Sequence, residues 1–417
     1  MRILWLCPFL PYPPNTGSKI REYNLISSLS QKHKITLFSL IQSPEELKHI
    51  GELRSYCSSV TAVLPNSQTP GVIDGRRRAQ DALWGIVDKR PHRFYGSPSD
   101  NVKSQLKEVL EHDQFEAMLV DTLFMSNYLW DILLRNNMTT VLMQHNVETL
   151  IQKQQFEAAR SVSKKLRKWL YYRSFVGFER RACRLYDYVV VVSELERNHL
   201  LAMAPEIGSE RVVVVPNGVD AALCSLPVPR VEPNSLIYPG ALTYDANLDA
   251  MAYFLKESWP IIQKQRPQAR LHITGRTDDV DLSQLPLTDQ VILTGYLDDV
   301  RSAIAQSWVC VVPLRLGGGT RLKILESLAL GTPVVASSKG AEGLDAVPGR
   351  DLLIADTPAE FADHVLHLLN DPDLRQQLSE NGRRLVLTRY NWATIGQDVD
   401  SFLECVVNGK SGSETLY

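Results

Sequence analysis

No stretch of this 417-residue chain approaches the ~20 uninterrupted apolar residues that a membrane-spanning helix needs, so none is expected. The opening run Met1-Arg-Ile-Leu-Trp-Leu-Cys7 is cut short by Pro8, Pro11, Pro13 and Pro14, which makes it a buried first strand and not an export signal. Cysteine is sparse: Cys7, Cys57, Cys183, Cys224, Cys310 and Cys405 form no C-x-x-C pair and no zinc-spaced set with histidine. That excludes a disulfide scaffold and a structural metal, and it fits reduced thiols in a cytoplasmic protein. Also missing are the Gly-Lys-Ser/Thr ending of a Walker loop and a Gly-x-Gly-x-x-Gly fingerprint, which argues against an NTPase and a dehydrogenase. No acidic pair with the look of a hydrolase's acid and nucleophile stands out. No metal and no cofactor is expected.

What is present is ordinary globular composition, 44% hydrophobic and 22% charged, at a length that exceeds one hydrophobic core. The net charge is only −2, but it is unevenly spread: 28 basic against 22 acidic residues up to Arg211, and 17 against 25 after it. One half is therefore expected to face something anionic. Nucleic acid is a poor candidate, because no nucleic-acid-binding motif accompanies the charge.

Short apolar runs alternate with longer amphipathic ones, the pattern of βα units and parallel sheets buried on both faces. Strands are expected near Arg2–Leu6, Lys34–Ser39, Val60–Leu64, Ala117–Val120, Thr140–Met143, Tyr188–Val192 and Val212–Val215. A second series follows at Leu236–Tyr238, Arg270–Thr274, Val291–Thr294, Trp308–Val312, Pro333–Ala336 and Leu352–Ile354. Between the series lie turn residues and a proline-rich segment, read as a linker over 219–234. The expectation is two tandem Rossmann-like, doubly wound α/β domains, 1–218 and 235–390, facing a central cleft, with a helix over 391–410 packing back toward the first.

The most informative loop follows Val312 and contains Gly317-Gly-Gly-Thr-Arg-Leu-Lys-Ile-Leu-Glu326 before Gly331. A helix is expected from about Thr320 to Gly331. Gly318, Gly319 and Thr320 then present backbone amides to which a phosphate can come close. Arg321 and Lys323 in the first turn oppose the helix dipole unless an anion sits there. Glu326, further along the helix, has the reach to accept hydrogen bonds from the vicinal hydroxyls of a ribose. The bland alternative is a tight turn followed by a solvated helix face with its cations paired to acidic neighbours.

This segment, with Pro8-Phe-Leu-Pro-Tyr-Pro-Pro-Asn-Thr-Gly17, Gln144-His-Asn-Val-Glu148, Val192-Ser-Glu194, Val214-Val-Pro-Asn-Gly-Val-Asp220, Tyr238-Pro-Gly-Ala-Leu-Thr-Tyr-Asp-Ala-Asn247 and Leu293-Thr-Gly-Tyr-Leu-Asp-Asp299, resembles in order the landmarks of group 1, family 4 retaining glycosyltransferases of GT-B fold. The resemblance covers nearly the whole chain. It implies transfer of a sugar from a nucleotide-diphosphate donor to a saccharide or lipid-linked acceptor, with retention and without a protein base, the departing phosphate taking the acceptor's proton. It implies that Glu326 binds the donor ribose, that His145 and Gly17 serve the transferred sugar, that Tyr296 and Leu297 meet the base, and that Gly240 lies against the donor. The first glutamate of the family's pair is replaced by Gly318, and no basic residue stands near Gly240 in the sequence. Arg321 and Lys323 are expected to neutralise the diphosphate instead. A nucleotide-sugar epimerase of the same fold and a non-catalytic partner subunit remain open.

Between Arg160 and Arg184 cations mix with Trp169, Tyr171, Tyr172, Phe175 and Phe178. Such a helix either lies on an anionic membrane surface, at the inner face of a membrane, or packs with a solvated basic face. Arg76, Arg77 and Arg78 add to the same basic half.

Overall fold

The computed structural model describes residues 1–65, 99–129, 138–157, 159, 161–225, 231–317 and 321–413. Arg76, Arg77 and Arg78 lie outside the described residues. The chain divides into two compact units, Met1–Pro216 with Gly396–Tyr417, and Asn217–Ile395.

The first unit is built from β1 (Arg2–Cys7), α1 (Gly17–Leu29), β2 (Lys34–Leu40), β3 (Ser59–Val63), α2 (Asp100–His112), β4 (Ala117–Asp121), α3 (Thr122–Ser126), β5 (Thr139–Met143), α4 (Glu148–Glu157), α5 (Val162–Leu185), β6 (Tyr188–Val191), α6 (Glu194–Met203) and β7 (Val212–Val214). Its strands form one parallel sheet in the order β3-β2-β1-β4-β5-β6-β7. Continuous apolar runs make this possible, because a central parallel strand is covered on both faces. Ile3, Leu4, Trp5 and Leu6 of β1 are fully buried, as are Met118, Leu119 and Val120 of β4. Helix starts are set by side-chain caps: Thr16 accepts from Lys19 N, and Ser193 accepts from Glu196 N at 3.3 Å.

The second unit runs through β8 (Ser235–Pro239), α7 (Asp245–Tyr253), α8 (Trp259–Gln265), β9 (Arg270–Thr274), β10 (Val291–Gly295), α9 (Val300–Gln306), β11 (Val309–Val312), α10 (Leu322–Leu330), β12 (Val334–Ala336), β13 (Leu353–Ile354), α11 (Pro358–Asn370) and α12 (Pro372–Arg389). Its parallel sheet has the order β10-β9-β8-β11-β12-β13. Both sheets are thus Rossmann-like. The helix expected from about Thr320 begins at Leu322, with Arg321 as its N-cap, and ends on Gly331 in the left-handed region, φ 81°.

Two boundaries differ from the sequence expectation. Val219 and Leu223, read as linker, are buried in the second unit's core, and Val219 N donates to Tyr390 O at 2.7 Å. Apolar side chains at these positions outweigh the local turn chemistry. The last helix, α13, spans Trp392–Ser413, and from Gly396 onward it belongs to the first unit. There Asp400 accepts from Lys32 Nζ at 2.5 Å and contacts His33 Nε2 at 2.7 Å, while Phe402 meets Tyr188 edge-on at 5.4 Å.

The seat of α13 on α1 depends on a missing side chain. A Cβ at Gly396 would stand 2.0 Å from Ser28 Oγ and 2.6 Å from Ser28 Cβ. Gly396→Ala is therefore expected to cost about 1–3 kcal/mol by overpacking. Thermal melting checks this, and Ser28→Gly added to Gly396→Ala is expected to restore part of the loss.

Candidate functional site

In each sheet the strand order turns around between its first and fourth strands, β1 and β4 in one unit, β8 and β11 in the other. Loops leaving the carboxyl ends of such strands diverge and open a crevice for a ligand. Gly17 and His145 follow β1 and β5 in the first unit, and Gly240, Arg321, Lys323 and Glu326 follow β8 and β11 in the second.

In the second unit β8 leads straight into Gly240, and β11 leads through Gly317 to α10. Lys323, in the first turn of α10, donates from Nζ to Tyr238 Oη at 3.0 Å and Asn247 Oδ1 at 3.1 Å, with its ammonium 4.1 Å from the Tyr238 ring centroid. Both oxygens are neutral, and among the described residues Lys323 makes no ion pair. Burial accordingly pushes its pKa down to about 7. A Cβ at Gly240 would lie 2.6 Å from Lys323 Nζ and 2.9 Å from Asn247 Nδ2, so a side chain there would displace the ammonium. The basic group that sequence proximity did not place near Gly240 thus arrives from α10.

Arg321 is buried, donates from Nη2 to Gly317 O at 2.9 Å, and is shifted down by desolvation. Glu326 is half-buried; desolvation raises its pKa, with Arg301 and Lys323 opposing the rise. Among the described residues no hydrogen bond reaches its carboxylate, which leaves both oxygens able to accept. Gly318, Gly319 and Thr320 lie outside the described residues.

Tyr296 follows Gly295, which has φ 68°, at the end of β10; it is 65% exposed, with the Arg276 guanidinium 5.6 Å from its ring centroid. Leu297 is half-buried. Arg276 was not anticipated; the signal was Thr274-Gly-Arg276 at the end of the second strand of the sheet, equivalent to the glycine turn after β8.

In the first unit His145 follows β5, and its Nε2 lies 2.5 Å from Asp121 Oδ1 at the end of β4 and 3.4 Å from Glu22 Oε1 on α1. Glu22 Oε2 accepts from Trp5 Nε1 at 2.7 Å. Burial raises Glu22 to about 8 and Asp121 well above its ordinary range, and it lowers His145 to about 4, which favours the neutral imidazole. The buried Arg21 donates to Pro216 O at 2.9 Å and faces the same carboxyls. The loop is held on its other side by Glu179 of α5, which accepts from Glu148 N at 3.1 Å and Thr149 N at 2.8 Å. Gly17 is exposed as the first residue of α1, five positions before Glu22.

An acidic pair that sequence spacing hides is therefore brought together from α1 and β4. Cys7 Sγ and one oxygen each of Glu22 and Asp121 lie within 4.8 Å of one another. Arg21 supplies the compensating charge for these carboxyls from within the chain. Among the described residues no helix is long and apolar enough to cross a membrane.

Comparison with known proteins matches two family models to consecutive parts of the chain: residues 22–223 to "Glycosyltransferase Family 4" and residues 233–371 to "Glycosyl transferases group 1". The chain is 26% identical over 242 residues to the MMP alpha-(1->4)-mannosyltransferase of Mycolicibacterium hassiacum, covering 55% of this chain and 56% of that protein. It is 28% identical over 233 residues to the phosphatidyl-myo-inositol mannosyltransferase of Mycobacterium leprae, covering 53% and 60%. It thus spans little more than half the length of the curated relatives it matches. Among solved structures, a sucrose-phosphate synthase from Thermosynechococcus elongatus superposes with a TM-score of 0.71 at 17% identity, over 98% of this chain and 100% of the other. The Anabaena protein HepE in complex with UDP-glucose gives 0.66 at 13%, over 97% and 100%.

The lowered Lys323 gives the second site a pH signature. An anion placed beside it favours the ammonium form. Binding of inorganic pyrophosphate at pH 8 is expected to take up about one more proton in the wild type than in Lys323→Met, and nearly none more at pH 6. Calorimetry in buffers of different ionisation enthalpy reads that difference.

Proposed function

Because this chain belongs to the group 1, family 4 glycosyltransferases, we propose that it transfers a sugar from a nucleotide-diphosphate donor to an acceptor with retention of anomeric configuration. The observation that carries the reading is Lys323: a cation held against Gly240 by neutral oxygens, at the point where the sheet order turns around. With Arg321 and the amides of α10 it offers positive charge to a diphosphate, and most of all to the charge that develops as the bond to the sugar breaks. Glu326 takes the ribose hydroxyls. Tyr296 and Leu297 serve the base, and Arg276 stiffens the Tyr296 ring. His145 is the side chain assigned to the donor sugar. The departing phosphate accepts the acceptor's proton, so no protein base and no metal is required. An epimerase would need exposed acid and base groups around the sugar, whereas Glu22 and Asp121 are wholly buried.

The acceptor is proposed to be lipid-linked, reached by peripheral contact with an anionic membrane through α5. Its first half exposes Val162 (86%), Leu166 (59%), Trp169 (42%) and Leu170 (42%), at helical spacing. Lys164, Lys165, Arg167, Lys168 and Arg173 accompany them, and no acidic residue occurs from Val162 to Phe178. Phe175, Phe178, Ala182 and Cys183 bury the second half in the first unit. Two such faces would repel one another, which favours a lipid surface over a second copy.

Two experiments test this reading. Calorimetry with a panel of nucleoside diphosphates is expected to show tight binding of one of them, weakened at least about tenfold by Glu326→Ala, the loss of roughly one to two hydrogen bonds to a charged group. No binding by any nucleotide would sink the transferase. Co-sedimentation with phosphatidylglycerol vesicles, but not with phosphatidylcholine vesicles, is expected for the wild type and is expected to be lost in Leu166→Ser/Trp169→Ala/Leu170→Ser with unchanged melting. Self-association abolished by the same substitutions would replace the membrane with a second copy.

A further inference from the structure

The group nearest to His145 is a carboxyl with few hydrogen-bond donors to stabilise it as an anion. Asp121 is fully buried, and among the described residues its single hydrogen-bonding contact is His145 Nε2, at 2.5 Å; its other oxygen has no partner. Glu22 is better provided, since it accepts from the Trp5 indole N–H. The groups facing this pocket are Cys7 on β1, Arg21 and Glu22 on α1, His145 after β5, and Glu148 at the start of α4. Glu196 of α6 acts on Arg21 as well. Arg21 is the buried cation facing both Glu22 and Asp121, so it can compensate one carboxylate and not two. Two carboxyls sharing one compensating charge cannot both ionise in a dry site; the one with fewer hydrogen-bond donors keeps its proton.

We infer that Asp121 is a neutral carboxylic acid that donates its proton in a hydrogen bond to His145 Nε2, fixing the imidazole as the Nδ1–H tautomer. The consequence is directional. Nε2 is held by Asp121 as an acceptor, so Nδ1 becomes the ring's hydrogen-bond donor. Resting on the assignment of His145 to the donor sugar, this makes His145 a donor to a sugar oxygen and not a base. Asp121 acts through it as a positioning residue. A carboxylate at Asp121 would reverse the arrangement, drawing the proton to Nε2 and leaving Nδ1 an acceptor.

The test is 15N NMR of histidine-labelled protein without any donor, with His145 assigned by the resonance that disappears in His145→Gln. The expected result is an unprotonated, hydrogen-bonded Nε2 and a protonated Nδ1, unchanged from pH 6 to pH 8. A protonated Nε2 with bare Nδ1, or an imidazolium in that range, would overturn the inference. Neither result depends on turnover, so the tautomer can fail while nucleotide binding succeeds, and the reverse.

Discussion

A parallel strand can be followed by another only if the chain returns to the same end of the sheet, and every paired strand described in both units obeys that constraint. Loops therefore accumulate at the carboxyl ends, and they spread apart where the order turns around. This one requirement brings Trp5, Glu22, Asp121 and His145 together although they are scattered over the first 145 residues. It also brings Gly240 to Lys323. Close stacking of the loops then demands small residues: a Cβ at Gly275, where φ is 102°, would stand 2.6 Å from Ala241 N.

Both meeting points bury charge, but they resolve the cost differently. In the second unit Lys323 has phenol and amide oxygens as its hydrogen-bond partners. Desolvation of such a group would be relieved by an anion arriving from outside, the role proposed for the donor diphosphate. In the first unit two carboxyls, an arginine and an imidazole are closed against one another with little exposure. Desolvation there is relieved by protonation and internal pairing, which makes the cluster a support for its one partly exposed ring.

The elements were largely legible because buried parallel strands write themselves as apolar runs: Arg270–Thr274 is found as read, and the others lie within a residue or two. Arg321 and Lys323 stood out in the sequence because cations in a first helical turn conflict with the dipole. Their partners did not. Tyr238 reads as strand core, and its hydroxyl matters only because Lys323 of α10 reaches it. Arg21 and Glu22 read as the polar side of an ordinary helix, since nothing local says that α1 turns them toward β1 and β4. The extent of the linker was misread for the opposite reason: Asn217 and Gly218 are strong turn signals, yet Val219 and Leu223 bury.

The placement of His145 shows why a loop can hold a side chain as firmly as a strand does. On one side Asp121 and Glu22 contact its ring; on the other Glu179 takes the first two amides of α4, the groups a helix start leaves without partners. Glu179 is itself fully buried, and desolvation raises it to about 7 despite those amide bonds. It belongs to α5, whose other half projects the basic, apolar stripe. One helix therefore carries both the exposed surface and the clamp on the His145 loop. Its buried half, around Phe175 and Phe178, is what ties the exposed half to that clamp.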